Sequence, residues 1–535
     1  MDDSSEKINI KELSNTIFID IYEIINDELY ILGNIKTENI NENVKVKINS
    51  REIKVNELYF PQKDYLKKDN IFYHSFEFKF PLSEDKTYTI EFENENAEKL
   101  NIDFTEHCNF SKIIGYSKTK KFISIIDNNA IKIKKKTPSN WIKQETKAIL
   151  NILKKTNKQS IVVIPFRIAY MLGYPFLKNK KIWFYMDRPK IADDNGMHLF
   201  KYAVKHDPEI KKYFIISKDS PDYQEMKKIG KVLPFQSLKH RYLSLFVENI
   251  VTSHPENPVI YPFWKSFPYY AGLLKSRTQF LQHGIIKDDI SYWINKSEMN
   301  LSLFLTSAPK EYESLFQNYY NYDKDVVKLL GMPRFDNLKN EQNKKQILIM
   351  PSWRKFLKNK SDEEIIQSKF FKIFNSLLNN EKLSEIAKEN DYEIIFRPHP
   401  HIYEFIELFE INDPIKVEPQ ETKYQTLFNN SSLLITDYSS VAFDFSYLKK
   451  PVIYYQCSND YHYDAENGYF NYETMGFGEV CREEGDLIEL LIEYIENDCK
   501  MKDKFIKRVD DFFLYTDKNN CKRVHEAIKN IPVID

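Results

Sequence analysis

Leu434-Ile435-Thr436-Asp437-Tyr438-Ser439-Ser440-Val441-Ala442-Phe443-Asp444-Phe445 reads as a buried strand, a polar turn and the opening turns of a helix. A short apolar run without alternation is a strand covered on both faces, as in a parallel sheet flanked by helices. Free backbone amides at the start of the following helix make an anion site, and Ser439 and Ser440 set hydroxyls beside them. Serines also cap helices routinely, so elsewhere the pair would read as a cap. Here it follows a strand directly, where open α/β sheets bind ligands. Asp437 would repel a phosphate and is read as orienting nearby amides or hydroxyls. Asp444, one turn into the helix, bonds a ligand hydroxyl or braces a loop.

The same grammar recurs outward from this stretch. Residues 346–350 lead into Pro351-Ser352-Trp353-Arg354, residues 394–396 into Arg397-Pro398-His399-Pro400, and residues 278–281 into Gln282-His283-Gly284. Histidine exchanges a proton near neutral pH, and arginine holds phosphate oxygens in a forked grip. His283 is the general-base candidate and His399 the second catalytic candidate. Gly284 allows close approach of a ligand; Arg354, Arg397, Asp437, Ser439, Ser440 and Asp444 complete the expected substrate-binding set. Each tetrapeptide alone has a bland reading: an ion-paired arginine, a histidine closing a turn, a capping serine. Four such elements after four strands point to phosphoryl transfer.

The strand and helix series predicts three regions. Residues 1–110 carry short β-branched and aromatic runs separated by Asn-rich turns, which predicts a small β-sandwich with no evident chemistry. Residues 111–330 alternate apolar strands with longer helical stretches, and residues 331–535 repeat that pattern. The expected fold class is therefore α/β: two doubly wound Rossmann-type domains facing a cleft, preceded by a small β-sandwich-like domain. His283 falls on the first α/β domain, the acceptor side, and the remaining elements on the second, the donor side.

A chain of 535 residues exceeds what one core organises, and a net charge of -1 gives no global attraction to nucleic acid. Five cysteines without a CxxC pair indicate neither a zinc site nor a disulfide framework, so a reducing compartment is expected. The start, Met1-Asp2-Asp3-Ser4-Ser5-Glu6, is acidic where a signal peptide would be basic, and no uninterrupted apolar run reaches membrane-spanning length. A cytoplasmic, peripheral protein is expected. Lys132, Lys134, Lys135, Lys136, Lys143, Lys147, Lys154, Lys155 and Lys158 flank Trp141, Ile142, Ile149, Leu150, Ile152 and Leu153. That mixture suits a basic amphipathic helix on an anionic membrane, or a solvated outer helix of the α/β domain.

Taken in order, Gln282-His283-Gly284, Gly331-Met332-Pro333-Arg334-Phe335-Asp336, Pro351-Ser352-Trp353-Arg354, Arg397-Pro398-His399-Pro400 and residues 436–445 resemble the CDP-glycerol glycerophosphotransferase family of teichoic acid synthesis. The resemblance covers roughly residues 280–480. It implies a GT-B fold, a CDP-alditol donor and a lipid-linked or glycan-polymer acceptor at the inner membrane face. It also implies that His283 and His399 are the family's two essential histidines and that Arg354, Ser439 and Ser440 hold donor phosphates. Gln282 stands where the family more often has a bulky residue, and Ile285-Ile286 where Thr-Pro is frequent, departures that bear on the acceptor. The β-rich amino-terminal region sets the chain apart from the shortest, priming members, so a chain-extending or bifunctional polymerase is the expectation. No acidic cluster has metal-ligand spacing, so no tightly bound cofactor is expected and magnesium is admitted only with the nucleotide. Two rivals stay open: a GT-B glycosyltransferase using a sugar nucleotide in envelope polysaccharide synthesis, and a non-catalytic polymer-binding protein.

Overall fold

The computed structural model describes residues 15–37, 43–60, 72–155, 158–340, 344–457 and 468–532. The acidic start at residues 1–6 lies outside them. The amino-terminal region is a sandwich of two sheets. One runs Asn56–Leu58, Phe72–Pro81, Glu28–Thr37, Thr16–Ile25, Asn101–Phe104; the other runs Arg51–Ile53, Lys45–Ile48, Tyr88–Glu93, Ala130–Lys135, Phe122–Asp127, Tyr116–Lys118. Ile19, Ile31 and Phe76 from the first meet Val46, Phe92 and Ile131 from the second in one core. The Asn-rich turns have a clear geometric reason. Asn26-Asp27, Asn49-Ser50 and Asn128-Asn129 each join paired antiparallel strands in two residues, all with positive φ, the backbone that tight hairpins require and asparagine tolerates.

The boundary expected at residue 110 falls short. Three further strands, through Ala130–Lys135, continue the second sheet, because Ile131 and Ile133 supply the alternating inward face that completes the sandwich core. Lys132, Lys134 and Lys135 therefore lie on a strand and not on a basic helix. The helix begins at Pro138. Thr137 caps it, its hydroxyl accepting from the Asn140 amide while the Asn140 side chain accepts from the Thr137 amide.

Two parallel sheets follow. The first has the order Val232–Pro234, Lys211–Ile216, Ile182–Met186, Asn249–Thr252, Arg277–Phe280, Leu301–Thr306, Val327–Leu329. The second has Ile415–Val417, Glu393–Phe396, Gln346–Met350, Leu433–Thr436, Val452–Tyr455, Gly478–Cys481. In each, the chain starts centrally, winds to one edge, returns and winds to the other, so strand order reverses beside Ile182–Met186 and beside Gln346–Met350. Loops at such switch points form ligand crevices.

The carboxyl terminus does not stay with the second domain. Helix Asn520–Lys529 packs against helix Asn195–His206 of the first. His525 Nε2 lies 3.1 Å from Asp207, Arg523 donates to the Leu330 carbonyl, and the amides of Asn520 and Cys521 donate to Asp336. Buried residues of both domains, from Phe200 and Leu305 to Phe443 and Val524, share one hydrophobic cluster.

Helix α1, Pro138–Leu153, and helix α2, Val163–Leu177, lie against the first α/β domain. Arg167 of α2 is fully buried, pairs with Glu145 of α1 and donates to the Tyr269 carbonyl. Residues 159–177 are helical with a mean hydropathy of 1.5, long and apolar enough to cross a membrane by length and composition. The run is not uninterrupted: Ser160 and Arg167 stand within it, and the protein buries both.

Candidate active site

The first domain contributes three strand ends. After Arg277–Phe280 the chain turns through Gln282, whose φ of 64° is unusual for a residue with a side chain. Neighbours over-determine that turn. Asn195 donates to the carbonyls of Leu281 and Gln282 at 3.1 and 2.8 Å, and Glu311 accepts from the Gln282 side chain and the Ile286 amide. The turn presents His283 at the cleft wall, where its ring is part-buried against Ser253.

His283 Nδ1 lies 3.3 Å from the Ser253 carbonyl, an acceptor only, so the neutral ring carries its proton on Nδ1 and keeps the Nε2 lone pair free. His254 stacks on it, centroids 4.6 Å apart and planes within 11°. Burial in the cleft wall and the neighbouring His254 hold the His283 pKa down to about 4, against the pull of Asp194 and Glu256. His254 is itself fixed: Arg188 Nε donates to its Nε2 at 3.3 Å, and Glu256 stands 3.9 Å from its Nδ1.

The second domain faces it with the other expected residues. His399 accepts from the His401 amide through Nδ1 at 3.2 Å, which leaves its proton on Nε2. Its ring stacks on Trp353 at 6.0 Å, and burial, then His401, Arg188 and Arg397, lower its pKa to about 4. Gly284 and Ser440 meet across the cleft: a Cβ on Gly284 would come within 2.9 Å of the Ser440 hydroxyl oxygen. Ser439 Oγ accepts weakly from the Val441 amide, while Ser440 makes no side-chain capping bond.

Other candidates serve the frame. Asp437 accepts from the Ser352 amide and hydroxyl and the Tyr438 amide, the orienting role expected of it. Arg354 is buried and its Nη2 pairs with Asp437 Oδ2 at 2.8 Å, so a carboxylate already neutralises the guanidinium expected at the donor phosphates. Arg397 is buried, donating to the Tyr403 hydroxyl and the Gln420 carbonyl, and it stiffens the loop that carries His399. Asp444 takes the loop-bracing alternative: both its oxygens accept from Arg334, at 2.6 and 2.8 Å. Arg334 also pairs with Asp194 at 2.6 Å, so it clamps the two domains together.

Sequence reasoning missed Arg188, Asp194, His254 and Glu256 and saw Arg334 only as a domain crossing. The signal was there for two of them. Asp187-Arg188 and Ser253-His254 follow buried strands Ile182–Met186 and Asn249–Thr252, as His283 and His399 follow theirs. Among the described residues no group of three or more His, Cys, Asp and Glu is placed to hold a metal ion.

Comparisons with known proteins bear on the family and the fold. Residues 166–530 match the family described as CDP-Glycerol:Poly(glycerophosphate) glycerophosphotransferase. The minor teichoic acid biosynthesis protein GgaB of Bacillus subtilis (strain 168) is 36% identical over 98% of this chain and 60% of its own length. A teichoic acid poly(glycerol phosphate) polymerase of the same organism is 23% identical over 73% of this chain and 54% of its own. The chain thus spans little more than half the length of these relatives. The solved wall teichoic acid polymerase TagF superposes with a TM-score of 0.51 at 18% identity, covering 74% of this chain and 99% of that one, a likeness of fold.

Proposed function

The chain belongs to the CDP-glycerol:poly(glycerophosphate) glycerophosphotransferase family, and from that premise we propose that it transfers glycerol phosphate or ribitol phosphate from a CDP-alditol to a hydroxyl of a growing teichoic-acid-like or capsular polymer, releasing CMP. His283 Nε2 takes the proton of the acceptor hydroxyl. The oxygen attacks the β-phosphorus, which bears the alditol; the bond from that phosphorus to the bridging oxygen breaks, and a new phosphodiester forms. CMP leaves with the bridging oxygen, and the Nε2 proton of His399 meets the charge developing there. Positioning and charge neutralisation supply most of the rate in such transfers.

The observation that carries this reading is the complementary state of the two histidines on opposite domains: one has a free lone pair and the other a proton to donate. The turn at Ser439 and Ser440, touching Gly284, offers hydroxyls and amides to the diphosphate. Magnesium, where it takes part, enters with the nucleotide.

The second half of the proposal is the place of work, a peripheral seat on the cytoplasmic membrane face. Helices α1 and α2 and the residues between them expose Ile142, Leu150, Leu153, Ile161, Val162, Leu172 and Phe176, with Leu172 71% and Phe176 77% accessible. Exposed Lys143, Lys147, Lys154 and Lys155 adjoin them. Apolar side chains among lysines suit a helix pair lying in the headgroup region of an anionic bilayer. The Arg167–Glu145 pair and buried Tyr170 tie α2 to the domain, which favours lying on the membrane over crossing it.

The test is a donor panel. The purified chain is given CDP-glycerol, CDP-ribitol and UDP-sugars, each with a lipid-linked glycerol-phosphate primer, and primer mass is followed. Growth by alditol-phosphate units supports the proposal; growth by hexose units would move the chain to the glycosyltransferases.

A further inference from the structure

Arg188 differs from the other arginines near the cleft. Arg334 and Arg354 are paired with carboxylates, and Arg397 is buried in its own loop. Arg188 follows strand Ile182–Met186, beside the point where strand order reverses, and its side chain is exposed although Asp187 before it is buried. Its backbone is fixed by a short bridge to Ile191. Among the described residues its guanidinium has no carboxylate within ion-pair distance; its side-chain contact is Nε to His254 Nε2 at 3.3 Å.

That contact locates it. His254 stacks face to face on His283, so Arg188 stands one ring away from the proposed base. Its charge is also felt across the cleft at His399, where it counts among the causes that lower that ring's affinity for a proton. A group bound between the two histidines therefore lies within reach of a cation whose charge the protein leaves unneutralised.

We propose that Arg188 is the first domain's phosphate-binding residue, which grips the phosphoryl group in transfer between His283 and His399. This rests on the reading of the chain as a CDP-alditol phosphotransferase. With Nε turned to His254, the two terminal nitrogens of the fork face outward, and a planar fork matches two oxygens of one phosphoryl group. A cation at that point is worth most when charge spreads over the equatorial oxygens in the transition state. The second domain holds the nucleotide, so the reactive geometry is complete only when both domains engage the donor.

Arg188→Ala and Arg188→Lys are compared with the unsubstituted chain in steady-state turnover of CDP-glycerol and CDP-ribitol, with thermal melting to check folding. The expected result for Arg188→Ala is a fall in kcat of about a thousandfold, the lower end of what is lost with arginines that stabilise phosphoryl transfer. Arg188→Lys restores part of it, and added guanidinium chloride at millimolar concentration restores about tenfold or more to Arg188→Ala. Turnover within about threefold of the unsubstituted chain, or a melting point unchanged with no rescue by guanidinium, overturns the proposal. If the unsubstituted chain consumes no CDP-alditol, the functional reading fails, and calorimetry with inorganic pyrophosphate judges Arg188 alone. About tenfold weaker binding by Arg188→Ala keeps the phosphate role, and equal binding removes it.

Discussion

A histidine serves as a base only where it is neutral and its lone pair is free, and two neighbours arrange both for His283. The Ser253 carbonyl holds the Nδ1 proton, and the stacked His254 with the enclosing wall resists a second proton. With a pKa of about 4, His283 is unprotonated at neutral pH, and kcat/KM governed by it stays level as pH falls to about 5, then drops through the folded value. An ordinary histidine would place that limb near about 6.5. A rate profile with its acidic midpoint between 4 and 5 supports the geometry. A midpoint near 6.5 would mean that His283 is not the group whose protonation stops the reaction. The same reasoning separates it from Arg354 and Asp444, whose charges are already satisfied inside the protein.

Between elements, the strongest link is Arg334. It sits in the turn Pro333–Asn337 and ties the residue that caps helix Asn195–His206, Asp194, to helix Val441–Tyr447 through Asp444. Arg334 is 9% and Asp444 5% exposed, so removal of the guanidinium leaves the Asp444 carboxylate with little water. Arg334→Met should cost about 3–5 kcal/mol in denaturant unfolding, the usual loss when one member of a buried pair is removed. An unchanged midpoint would show that water reaches the carboxylate freely. Helices α1 and α2 carry the other prediction at this scale. Leu172→Glu with Phe176→Glu removes two large exposed apolar groups and adds like charge toward an anionic surface. The double variant should keep its melting temperature and its turnover of soluble acceptor, yet lose most of its co-sedimentation with anionic vesicles. Undiminished co-sedimentation would remove these helices from the membrane seat.

The proposed chemistry lies where two switch points confront each other, and that placement is legible in the chain. Buried strands followed by His, Arg or Ser loops name the cleft and most of its walls, because a strand covered on both faces has few alternatives to a parallel sheet. What stays hidden has a common cause: it depends on which distant residues meet. Nothing local in Arg354 says that Asp437 will neutralise it, and nothing in residues 520–529 says that they recross to the first domain. Arg188 was concealed less by distance than by lacking a glycine or hydroxyl neighbour to mark it. Likewise the three strands after residue 110 reveal their place only through pairing with Tyr88–Glu93. The central claim concerns the cleft as a unit, with one domain deprotonating the acceptor while the other holds the donor. Its most direct measurement is single-turnover CMP release from CDP-glycerol or CDP-ribitol with a lipid-linked primer, comparing the unsubstituted chain with His283→Asn. The account predicts CMP and primer growth in equal amounts, and a fall in rate of at least about a hundredfold in the variant with donor binding retained. Equal rates in the two proteins, or CMP released without primer growth, would contradict it.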